Sequence, residues 1–316
     1  MNIILSIANY LSISEQEATT IFEKAKLGGE ITSTVDEVQW FEERFKPNIV
    51  FIDEVGYTKM CVDALKILHR TAATDYGSSR QRDLGQLWAD MTRGYLGEYA
   101  FQLFLNQRFG LESQLGHNIG TLEEYLHQDI HAVRKAHEDF RLPKQSVSIK
   151  TSKWNGIWLD IPGEQFQHSD LHVFIKVGTG RDHLFAFFKS ISVFKDKILS
   201  KGQSVGAITA QESAEIYDGL PSFTAIPAYI CGFVKRDIPY DDLPYTGKKG
   251  RRNFTITGWR GRIQQGDMDR IKNNEDISGS VKFEGIGEFS HENGYLFNTG
   301  NLLWSDTHWQ SLANSL

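Results

Sequence analysis

The sequence predicts a mixed α/β fold: a central β-sheet flanked by helices, with a helical region before it and a loop- and strand-rich region after it. Three observations lead there. Leu84, Leu87, Trp88, Met91 and Tyr95 recur at spacings of three and four, the mark of a long amphipathic helix. Short runs with alternating or continuous apolar character follow: HEDFRL, VSIKTSKW, IWLDI, LHVFIKV, LFAFF and AYICGFV. Beyond them the chain turns rich in Gly, Asn, Asp and aromatics. The division expected is a helical region over 1–80, an α/β core over 81–235 and an extension over 236–316.

In the first region, Ser14 is placed as an N-cap with Glu17 completing a capping box. VDEVQWFEERF and KMCVDALKILHRTA continue the helical reading, and either a packing or dimerisation module or a helix-turn-helix fits. DYGSSRQRD is a polar hinge. The long helix should run from Leu84 to about Phe109, with Gly110 as its C-cap, and a second helix is expected over 121–136. The strand runs predict a sheet of about five strands or more, with helices near 190–200 and 208–217 and a hairpin turn at VGTGRDH.

Hydrophobic residues make up 40% of the 316, enough for a sizeable core. Two distant cysteines, Cys61 and Cys231, form neither a disulfide framework nor a thiolate zinc site. MNIILSIANYL lacks a basic n-region, and no apolar run approaches the ~20 residues that span a bilayer. A cytoplasmic protein with no membrane association is expected. The net charge of −6 argues mildly against nucleic acid, yet KKGRR concentrates positive charge at Lys248, Lys249, Arg251 and Arg252. No GxSxG elbow, Walker A loop or GxGxxG follows a strand and HExxH is absent, which removes support for esterase, NTPase, dinucleotide and zincin readings. His168 and His172 have a metal-pair spacing that a strand at His172 makes meaningless. Trp154, Trp158 and Trp259 are either core residues or base-stacking platforms.

Glu98 carries the first chemical signal. It falls on the same helix face as Leu84, Met91 and Tyr95, where a carboxylate needs a cation to satisfy it. In HEDFRL, Asp139 and Arg141 point away from Phe140 and Leu142. In VSIKTSKW, Ser148 and Lys150 point away from Val147 and Ile149. A hairpin through Leu142–Ser146 would set Asp139 near Lys150, with Glu98 above them. Two carboxylates and a lysine around one spot suit phosphodiester hydrolysis, where a divalent cation and a lysine offset phosphate charge.

Glu98 in GYLGEYAFQLFL, Asp139 in EDF and Lys150 in VSIKTSKW, in that order, resemble the core of the PD-(D/E)xK nuclease superfamily, and in particular type II restriction endonucleases. The resemblance covers roughly residues 84–234. It implies Mg²⁺ held by Asp139 and the Ile149 carbonyl, Lys150 at the attacking water, and Glu98 as a further ligand. The acidic residue of (D/E)xK is replaced by Ser148, so Glu98, or Asp160 from IWLDI, would supply the missing charge. The implied activity is Mg²⁺-dependent cleavage of double-stranded DNA at a specific sequence by a homodimer. Lys153, Lys248, Lys249, Arg251, Arg252 and Asn253 would contact the DNA. A binding protein with a nuclease fold and no catalysis, or a structure-selective repair nuclease, are the alternatives.

Overall fold

The structure, a computed structural model, describes residues 2–68, 83–116, 128–237 and 294–316, together with five strands between 243 and 288. Side chains of 162–164 and 243–296 are not among those described.

The N-terminal region opens with α1 (Ile3–Leu11) and α2 (Glu15–Leu27), joined at Ser14 by the expected capping box with Glu17. The short α3 (Glu37–Gln39) leads into a π-helical turn over Trp40–Phe45. A strand follows that the periodicity did not indicate, β1 (Ile49–Ile52), and then α4 (Glu54–Leu68). α5 (Leu84–Phe109) has the expected bounds, with Asp83 as N-cap and Gly110 in the left-handed region at φ 60° as C-cap.

Four strands form the central mixed sheet in the order β1-β7-β6-β4. β4 (Val147–Ser152) and β6 (Leu171–Val177) are parallel, and β7 (Ile226–Lys235) runs antiparallel to both β6 and β1. β6 and β7 sit in the middle and are buried along nearly their whole length, as their continuous apolar runs require. β2 (Leu111–Leu115) and β3 (Ile130–Lys135) form a separate antiparallel pair. β5 (Trp158–Pro162) pairs with β13 (Gly294–Asn298), which also pairs with β10 (Arg262–Ile263). β8 (Leu243–Lys249), β9 (Arg252–Trp259), β11 (Val281–Phe283) and β12 (Gly287–Glu288) make a fourth sheet.

Each face of the central sheet buries its own core. On one face, Leu96, Phe101 and Phe104 of α5 pack against Val147, Ile149, Val173 and Ile230, with Trp309 from the helix Asp306–Ser315. On the other, Ile7, Phe22, Trp40 and Phe45 meet Leu159, Phe166, Phe174, Tyr229 and Phe297. The N-terminal helices are thus a packing module, and segments from all three expected regions share these cores. Among the described residues no helix is long and apolar enough to cross a membrane.

Several expectations are corrected. The window expected as a helix to residue 136 holds β3, where Ile130 and Ala132 are buried and His131 is exposed between them; 121–127 lie outside the described residues. HEDFRL is a turn and loop, not a strand: His137 takes a left-handed φ of 70°, which breaks extension. LFAFF lies within the helix Arg181–Ser190, where His183, Ala186 and Phe187 are buried at helical spacing and Phe185 is exposed. That helix begins inside VGTGRDH, so no hairpin turn forms there. The α5 stripe is rotated from the expected one. Leu84 is 68% exposed, while Leu87, Leu96, Ala100, Phe101, Phe104 and Leu105 are buried. The reason is Gly97, which lets this face close on β4.

A Cβ at Gly97 would lie 1.8 Å from Thr151 Oγ1 and 2.9 Å from its Cβ. Thr151 is short and branched and cannot swing clear, so the helix would have to lift off the strand. Gly97→Ala should therefore destabilise the protein despite a helix-propensity gain of about 1 kcal/mol, because overpacking costs about 1–3 kcal/mol. Urea denaturation reads the sign. A higher midpoint for the variant would mean that α5 and β4 are not in this close contact.

Candidate active site

β4 is an edge strand of the central sheet, and the site gathers along its free edge and around Lys150. Asp129, immediately before β3, docks there. Its N–H donates to the Val147 carbonyl at 2.8 Å, and its Oδ2 accepts from the Ile149 N–H. Val147 and Ile149 thus turn their backbone groups outward, while Ser148 and Lys150 face β6. In an extended strand a residue's N–H and C=O share a side, so the Ile149 carbonyl lies on the same edge as the Asp129 carboxylate.

Lys150 is half-buried, and its Nζ donates to Gln165 Oε1 at 2.5 Å. Burial pushes its pKa below the ordinary lysine value, and the carboxylates of Asp129, Asp160 and Glu98 act against that shift. Three elements bring these carboxylates in. Glu98 follows Gly97 on α5, whose contact with Thr151 sets the helix beside this part of β4. Asp160 lies on β5. Gln165 lies on the short helix that follows β5, α6 (Gly163–His168), next to Phe166. His172, opposite Ser148 in the register, is fully buried and stacks on Phe166 at 5.0 Å. Burial, then the Lys150 charge, lower its pKa to about 4, so it is neutral at physiological pH.

Of the expected residues, Glu98 lies close enough to Lys150 for its charge to act on it, as does Asp160. Asp139 does not. It sits exposed in the loop after β3, and it is not among the carboxylates acting on Lys150. The expected Asp139–Lys150 hairpin through 142–146 is absent as well, since β4 pairs in parallel with β6. The carboxylate on the edge of β4 is Asp129, which sequence reasoning missed. Its signal, an acidic residue opening the run IHAV, was hidden in a window with helical character. Lys153 is exposed just beyond β4. Lys248 pairs with Asn253 and Lys249 with Arg252 across β8 and β9. This sets the basic cluster on one hairpin, though these side chains and Arg251 lie outside what the structure describes.

The donor chemistry fits a hard divalent cation. Mg²⁺ is commonly bound by one or two carboxylates, with waters and substrate oxygens completing the shell. Among the described residues no three His, Cys, Asp or Glu side chains converge as a metal-binding group, so a site here would be of that open kind and not an all-protein cage. Comparison with protein-family models, curated proteins and solved structures finds no match.

Proposed function

We propose that the chain is a Mg²⁺-dependent endonuclease of double-stranded DNA with a PD-(D/E)xK-like core, in the manner of a type II restriction enzyme, and that Asp129 fills the role first assigned to Asp139. One observation carries this reading. A carboxylate is tied to the free edge of β4 by the Ile149 N–H, and its charge, with those of Asp160 and Glu98, acts on the neighbouring Lys150.

Asp129, with the Ile149 carbonyl, would hold the cation, and Glu98 would add the negative charge that Ser148 does not carry. Bound there, Mg²⁺ supplies Lewis acidity and an acidified water. Lys150, on which the Asp129 charge acts, would orient the attacking water and offset charge on the scissile phosphate. Its burial makes a proton at Nζ easier to release. Lys153 and the β8–β9 hairpin, with Lys248, Lys249, Arg251, Arg252 and Asn253, would contact DNA backbone and bases. A homodimer would match a two-fold symmetric cut site.

Ser148 favours one second reading, a DNA-binding protein that has lost catalysis. A digest of long duplex DNA separates the two. Discrete fragments with Mg²⁺, and none with EDTA, are expected. A smear would replace sequence specificity with indiscriminate cleavage. Intact but bound DNA at every Mg²⁺ and Mn²⁺ concentration would establish the binding-only reading.

A further inference from the structure

We propose that Gln165 is a positioning residue that sets the direction of the Lys150 ammonium. The proposal rests on the nuclease reading for the identity of the reaction, but not for the contact.

Among the described residues, the hydrogen-bond partner of Lys150 Nζ is a neutral amide oxygen, although the charges of Asp129, Asp160 and Glu98 act on it. An ammonium has three donors and no acceptor, so only the Oε1 end of the Gln165 amide can meet it. One donor is then fixed towards α6, and the remaining two are aimed elsewhere. A lysine stem has four rotatable bonds and loses its direction when nothing holds the head.

Gln165 is itself well anchored. The next residue, Phe166, is 2% exposed, stacks on His172 at 5.0 Å and lies 6.4 Å from the Phe297 ring. The Phe166 carbonyl is 3.3 Å from His172 Nε2. β5 is pinned in turn by five register pairs with β13, from Trp158–Asn298 to Pro162–Gly294. The β5–α6 excursion thus presents Asp160 and Gln165 to Lys150 from a rigid base. A glutamate at this position would bind the ammonium more tightly and compete with the phosphate for it. The amide holds it without adding charge.

Two readouts test this on the full chain. In ¹⁵N-lysine-labelled protein, a protected Nζ–H resonance assigned to Lys150 by its loss in K150M should be present in the wild type. It should be lost in both Q165L and Q165M, two variants that lack the acceptor and differ in shape. Its persistence in either folded variant, or its absence from the wild type, overturns the contact. In single-turnover cleavage of the duplex that the wild type cuts, each Gln165 variant should be slower by about tenfold to a hundredfold, the scale of a misplaced catalytic group. Affinity for that duplex in EDTA should stay within about twofold, since only the chemical step should suffer. In a K150M background the Gln165 change should cost nothing more. Losses that multiply in the double variant mean that Gln165 acts on its own, and the positioning role is wrong. Should the wild type cut no DNA, the nuclease reading falls, and the resonance alone decides whether Gln165 holds Lys150.

Discussion

Asp129→Asn should abolish cleavage of duplex DNA, while Asp139→Ala should leave it at the wild-type rate. The substitution keeps the shape of Asp129 and keeps an oxygen that can accept from the Ile149 N–H, so the edge of β4 stays capped. What it removes is the charge. A neutral amide oxygen is a much weaker ligand for a hard divalent cation than a carboxylate, and here Ser148 offers nothing to compensate. A loss of three or more orders of magnitude in single-turnover rate is the expected scale, about 4 kcal/mol of transition-state stabilisation. Asp139 is exposed in a loop, where alanine disturbs neither packing nor charge around Lys150. Both variants should melt with the wild type. Full cleavage by Asp129→Asn, or a dead Asp139→Ala, would return the site to the original assignment.

The same logic ranks the other side chains. Ser148→Ala should cost less than Asp129→Asn because a hydroxyl carries no charge to lose. Glu98 is the nearer test of compensation, since its carboxylate acts on Lys150 from α5. A Glu98→Gln variant with wild-type Mg²⁺ dependence would hand that role to Asp160.

Glu98, Lys150 and Asp160 stand out in the sequence because each breaks a local pattern. A carboxylate interrupts a helix stripe, and a lysine or an aspartate alternates with buried residues on a strand. Such breaks depend only on neighbours within four positions. Asp129 breaks no pattern. It precedes a strand of six residues, too short for alternation to outweigh the helical character of the window around it. Its position follows from docking on β4, eighteen or more residues ahead. Gln165 has no local signal at all, because its role depends on Lys150 fifteen residues earlier. β1 was missed for a related reason. Four residues, IVFI, become a strand because β7 offers them an edge, and only the fold supplies that partner. The capping box at Ser14 and the Gly110 cap were legible because both are local chemistry.

The largest stability effect should come from farther along the sheet face that carries Lys150, at Glu30. This carboxylate is 2% exposed, and its Oε2 accepts from Trp40 Nε1 at 3.0 Å and from the Tyr229 hydroxyl at 2.7 Å. Lys176 Nζ, from β6, donates to Oε1 at 3.2 Å. Arg44 Nε lies 3.9 Å from Oε2, while its Nη2 donates to the Thr299 carbonyl at 2.6 Å. Glu30 thus ties the segment after α2 to the π-turn, to two sheet strands and to the chain after β13. Burial alone would raise its pKa; Lys176, Arg44 and the two hydrogen bonds outweigh that and hold it at about 2. A carboxylate whose folded pKa lies below its unfolded value adds stability that is complete above the unfolded value and fades as the pH falls through the folded one. The window here runs from about pH 4.5 down to about pH 2, and a depression of that size corresponds to about 3 kcal/mol. Glu30→Gln removes the anion and leaves Lys176 and Arg44 as buried cations without it, which should cost about 3–5 kcal/mol at neutral pH. That is a large share of the 5–15 kcal/mol typical of a whole domain. The acid-dependent part of the loss should be missing in the variant, so the two urea midpoints should converge as the pH approaches 2. Adding Lys176→Met should recover part of the loss, because it removes one of the two stranded charges. An unchanged midpoint at pH 7 for Glu30→Gln, or a gap that fails to narrow in acid, would show that this cluster is not what holds the N-terminal module to the sheet.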